Sequence, residues 1–129
     1  MRVPTSFADT VAAVRAALAE QGFGVLTEID VRATLRAKLD VEMEDYLILG
    51  ACNPELAHQA LDIHRQVGLL LPCNVVVRTD NDATVVEAVD PDILVNQTQQ
   101  PALRQIAQEA RAGLAAALAA VVKRCAAPV

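Results

Sequence analysis

Residues 44–54 read EDYLILGACNP, a helical segment follows over 55–67, and residues 68–79 read GLLLPCNVVVRT. An apolar run, Tyr46 to Leu49, has the composition of a buried strand. It stops at Gly50-Ala51-Cys52. Asn53 is a good helix N-cap, and Pro54 suits the first helical position because its missing N–H would go unpaired there anyway. A second apolar run starts just past Pro72-Cys73. The pattern is strand, helix, strand, with a cysteine at each corner.

Between the corners, a helical wheel puts Leu56, Ala60, Ile63 and Val67 on one face, with Ala57, Leu61 and His64 beside it. His58, Asp62 and Arg65 lie opposite, towards water, and Gly68 ends the helix. Beyond the second corner, Val75–Thr79 and Thr84–Val89 flank Asp80-Asn81-Asp82. Asn and Asp tolerate left-handed turns, so this is a hairpin.

Upstream, Arg2-Val3 ends a very short strand. Ser6 is an N-cap with Asp9 three residues on, and Phe7, Val11, Val14 and Leu18 come after it at helical spacing up to Gly22. Phe23–Asp30 alternates as a strand does, and Val31–Leu39 forms a short helix. Residues 91–100 are a polar connection without assignment. Pro101 opens the longest helix, carried by Leu103, Ile106, Ala110, Leu114, Leu118, Val121 and Cys125 and widened by a band of alanines. The order predicts an α+β fold: a four- or five-stranded, largely antiparallel sheet covered by helices, with a long C-terminal helix.

The chain has 129 residues, which fits a single domain spanning 1–129, with 1–4 and 126–129 expected to fray. A chain of this length buries enough surface for a core without disulfides or metal. The formal charge is −5, with two Phe, one Tyr and no Trp. Nucleic-acid binders need clustered cations and stacking aromatics, so that class is excluded. MRVPTSFADT has no apolar signal segment, and Leu114–Val122 is far short of the ~20 residues of a membrane span. The expectation is an acidic cytoplasmic protein, with no membrane partner and three free cysteines.

Asn53-Pro54 after a Cys-ended strand, GLLLPCNVVV from Gly68, the hairpin, and a proline before the last helix together carry a resemblance. So do the Gly22-Phe23 turn and Ile29-Asp30-Val31. The chain resembles the uncharacterised family known as domain of unknown function 302, over about residues 5–122, most specifically at Cys52-Asn53-Pro54 and Leu71-Pro72-Cys73. The resemblance implies a curved sheet under helices, similar in outline to the TATA-binding-protein-like fold, and a homodimer. It implies no activity. The chain departs from the family pattern at its start, where only Met1–Val3 remain for a usually longer first strand.

The candidate ligand-binding residues are the two corners: Cys52, Asn53, Pro54, Pro72, Cys73 and Asn74. Cys52 directly precedes a helix start, where exposed N–H groups favour thiolate. The plainer reading of both cysteines is as small buried hydrophobes, since no CxxC and no adjacent cation lowers a pKa. The two thiols can meet only if the strands run antiparallel. His58 and His64, six apart, cannot chelate one ion together. No catalytic residue, cofactor or metal site is therefore assigned. The expectation is a non-catalytic homodimer binding a small molecule or a protein partner. The alternative is a thiol- or metal-dependent protein using Cys52 and Cys73, with His64 as a third group only through tertiary contact.

Overall fold

The architecture is that of a computed structural model, which describes residues 1–126. Five strands form one antiparallel sheet: β1 (Arg2–Val3), β2 (Gly24–Asp30), β3 (Tyr46–Cys52), β4 (Cys73–Asp80) and β5 (Ala83–Ala88). Their order across the sheet is β1-β5-β4-β3-β2. The helices are α1 (Phe7–Glu20), α2 (Val31–Leu39), α3 (Pro54–Ile63), α4 (Ile93–Thr98) and α5 (Arg104–Arg124). The expected α+β fold, antiparallel sheet and long last helix are all present. Of the tail expected to fray, residues 127–129 lie outside the described residues. At the other end, the Met1 ammonium donates to the Val86 carbonyl at 3.3 Å, and Arg2 and Val3 pair with Val85 and Thr84.

Local signals set the helix ends. The Ser6 hydroxyl accepts from the Asp9 N–H (3.1 Å), Asp30 Oδ1 from the Ala33 N–H (2.9 Å) and Asn53 Oδ1 from the Leu56 N–H (3.2 Å). Gly22 leaves α1 at φ +80°, a conformation cheap only for glycine. At the hairpin, Asp80 pairs with Ala83 and Asn81 takes φ +56°.

Strand alternation sorts the sheet into two faces. Leu47, Leu49, Ala51, Cys73, Val75, Val77 and Val86 are buried with Val14, Ala17 and Leu18 of α1 and Leu114, Ala117 and Val121 of α5. On the other face, Ile29, Ile48 and Val76 form one cross-strand row, all half-buried or exposed. A second, smaller core holds Ala60, Val67, Leu94, Leu103 and Ile106, and Leu56 packs against both cores.

Three expectations need correction. The helix predicted over 55–67 stops at Ile63. His64 is extended (φ −156°) and residues Arg65–Leu70 continue as a tighter 3₁₀ turn. The turn brings Val67 fully inside and leaves Ile63 41% exposed, so packing overrides the uninterrupted helical repeat. The unassigned connection contains α4, whose Leu94 is buried. Pro101 opens a 3₁₀ turn, and α5 proper begins at Arg104. Of the anchors named on that helix, Leu118 is only partly buried, and Ala112, Ala115, Ala116 and Ala119 face solvent.

Candidate functional site

β3 and β4 are neighbours and antiparallel, with Ala51 opposite Cys73 and Gly50 opposite Asn74. The intervening residues 53–72 leave and return at the same end of the sheet. Cys52 therefore lies one residue out of register from Cys73, at adjoining strand ends.

Both cysteines line one cleft, walled by Phe23, Leu56, Leu71, Leu94 and Ile106. Its empty volume, open mouth included, is about 350 Å³. The room for the centre of a water-sized particle is about 20 Å³. That is one water's worth on a scale where roughly 10–15 Å³ suffices. Only Asn53 adds a polar side chain to the lining, and its Oδ1 is engaged in capping α3. Cys52 is partly exposed and Cys73 buried.

The six residues expected to form one site separate. Cys52, Asn53 and Cys73 line the cleft. Pro72 and Asn74, on either side of Cys73, line a different depression with Leu69, Val89 and Ile93. Pro54 is exposed at the first position of α3. Phe23, Leu71, Leu94 and Ile106 were not among the candidate ligand-binding residues read from the sequence. For Leu94 the available signal was the apolar trio Ile93-Leu94-Val95 inside an otherwise polar stretch.

Gly50 ties the corner together. A Cβ there would stand 2.0 Å from Thr27 Oγ1 and 2.7 Å from Pro72 Cγ, so a side chain is excluded by close approach. The neighbouring peptide bond Leu71–Pro72 is cis.

Burial pushes the Cys52 thiol above its ordinary pKa. Burial does the same to Cys73, with a smaller contribution from Cys52 nearby. Both thiols are therefore neutral near pH 7, the opposite of what a nucleophilic cysteine needs. The charged groups form ion pairs on the surface. Arg15 meets Glu28 (2.5 Å), Arg32 meets Asp45 (2.8 Å) and Arg78 meets Glu87 (2.9 Å). Arg2–Asp80, Arg36–Glu42 and Arg124–Glu20 pair likewise. Exposed pairs of this kind contribute little each. His58 lies 3.6 Å from Asp62, as a surface pair one helical turn apart. Among the described residues, no group of three or more His, Cys, Asp or Glu side chains is placed to hold a metal ion. Also among the described residues, no helix is long and apolar enough to cross a membrane.

The family model for the domain of unknown function DUF302 matches residues 1–121. A crystal structure of an uncharacterized conserved protein DUF302 from Bacillus stearothermophilus superposes with a TM-score of 0.83. The two share 32% sequence identity over 98% of this chain and 95% of that one. No curated protein matches the chain.

Proposed function

The chain belongs to the DUF302 family, and from that premise we propose that it is a non-catalytic module that works as a homodimer and holds a small ligand in the cleft at Cys52, Asn53 and Cys73. The observation that carries the binding reading is the character of the cleft. Its walls are apolar, and among the described residues no cation or general base lines it to activate the thiols. Such a lining favours uptake of a ligand over bond making.

The homodimer reading rests on the β2 edge. β2 is seven residues long, and one side of it pairs with β3 while the other carries backbone groups with no strand of the described residues beside them. An unprotected edge of that length is a template for another strand. A second copy supplies one related by a two-fold axis, and such an axis pairs β2 with its twin antiparallel, as everywhere else in this sheet. Leu26 and Ile29 on β2 are 66% and 49% exposed. Leu39, at the end of α2, is 66% exposed, and α2 has no buried residue at all. These larger apolar groups make a better contact than the exposed alanines of α5.

A native mass spectrum at micromolar concentration tests this reading. The wild-type chain is expected as a dimer, and Leu26→Lys with Ile29→Lys as a folded monomer. A wild-type monomer, or a dimer indifferent to both lysines, sinks the edge-pairing reading.

A further inference from the structure

The cleft lies on the seam between the two cores. Half-buried Cys52, Ala57 and Leu71 form its rim, and buried Ala60, Leu94 and Ile106 its floor. We infer that its ligand is the end of an unbranched aliphatic chain, inserted methyl group first with its polar head left outside the rim; this deepens the binding reading above and rests on it.

The lining decides the chemistry. No side chain that lines the cleft is charged. The single amide there, on Asn53, has its Oδ1 taken by the Leu56 N–H. Its Nδ2 stands by Gly22, 3.4 Å from where a Cβ on that residue would be, and Gly22 is not part of the lining. Both thiols are neutral and act as small apolar groups. A polar atom carried to the floor would give up its water partners and find no replacement, which is costly. The inserted segment is therefore hydrocarbon.

The shape decides between a chain and a ring. The closed part of the cleft has room for the centre of one water-sized particle, about 20 Å³. Most of the 350 Å³ of empty space belongs to the mouth. A ring must seat its carbons abreast, whereas a chain enters in single file. Its terminal methyl group takes the floor and the methylenes behind it lie in the mouth.

The seam gives such a ligand contacts on two sides. Phe23 and Cys73 belong to the main core, Leu94 and Ile106 to the second, and Leu56 packs against both. A chain end between them bridges the two cores, and binding of this kind favours the folded state.

The test is an amide proton–nitrogen NMR titration of the full chain with n-butanol through n-octanol, with cyclohexanol and benzyl alcohol as ring controls. Affinity is expected to rise about fourfold per added methylene while the cleft fills, and then to level off. n-Hexanol should bind more tightly than cyclohexanol, which has the same number of carbons. The shifted amides should centre on Ala57, Cys73 and Leu94. Ala57→Leu puts a larger apolar side chain at the rim and should abolish those shifts. Ala116→Leu, on the solvent side of α5, should leave them unchanged. Circular dichroism checks that each variant is folded, and the chain-length series on the wild-type protein needs no variant. Affinity that climbs through n-octanol without levelling overturns the inference, as do shifts that persist in a folded Ala57→Leu protein. If the ring compounds bind more tightly than n-hexanol at the same amides, this inference falls and the binding reading stands. If neither chains nor rings enter the cleft, both fall.

Discussion

Replacing Gly50 by alanine tests the close packing at the corner, because one methyl group is added where the chain has no room. The new Cβ would lie 2.0 Å from Thr27 Oγ1 and 2.7 Å from Pro72 Cγ, against about 3.5–4.0 Å for an unstrained carbon contact. The Thr27 hydroxyl can swing aside, since Thr27 is exposed. The Pro72 ring has no such freedom. Overpacking of this kind costs about 1–3 kcal/mol, and two simultaneous clashes put Gly50→Ala near the top of that range. Alanine also restricts the unfolded chain, which returns about 0.4–1 kcal/mol. The net loss is about 2 kcal/mol. The unfolding entropy of a 129-residue chain is about 0.27 kcal/mol/K, so the melting temperature should fall by about 7 °C. Differential scanning calorimetry of Gly50→Ala measures it. Adding Thr27→Ala should recover part of the loss but not all, because Pro72 remains. If Gly50→Ala melts within about 2 °C of wild type, the corner is not packed as described and the reasoning fails.

Two further outcomes concern the same region. Asn53→Ala removes the side-chain acceptor for the Leu56 N–H and should cost about 1 kcal/mol, lowering the calorimetric melting point by about 4 °C. Both corner thiols have folded pKa values raised above the unfolded one. The folded state therefore binds more protons, and the thiols' stabilising contribution is fully present below the unfolded thiol pKa of about 8.5. It falls as pH rises from there through the folded values. Urea midpoints between pH 7 and 10 should decline above about pH 8.5, and less so in Cys52→Ala/Cys73→Ala. A decline of equal size in that double variant would assign the effect to other groups.

The parts of the fold that could be read from sequence are those set by neighbours along the chain. Ser6, Asp30 and Asn53 each cap an N–H only three residues downstream, and β-branched runs at 75–79 and 84–88 become strands. The break at His64 could not be read, because Leu56, Ala60, Ile63 and Val67 keep a perfect helical repeat. It is the second core that turns Val67 inward through a 3₁₀ turn instead. α4, six residues long, is shorter than the window over which periodicity shows. The corner itself was half legible. That Cys52 and Cys73 become neighbours depends on β3 pairing antiparallel with β4 across a twenty-residue excursion (residues 53–72), a fact of tertiary structure. That Pro72 and Asn74 belong to another surface than Cys73 reflects the two-residue period of a strand, which was available in the sequence all along.

The two borders of the sheet are unequal, and that inequality bears on how far assembly can go. At one border β1 covers β5 with only two residues. At the other, β2 leaves seven open. Open-ended stacking of copies would need both borders to accept a strand, so that each copy could pass the sheet on to the next. Here only one can offer a long ladder. Two copies joined through it would bury that border in each and present only the stunted one outward. In the proposed β2-paired dimer, growth would terminate at two subunits rather than propagate as a fibre, because the border left outward carries a strand of only two residues.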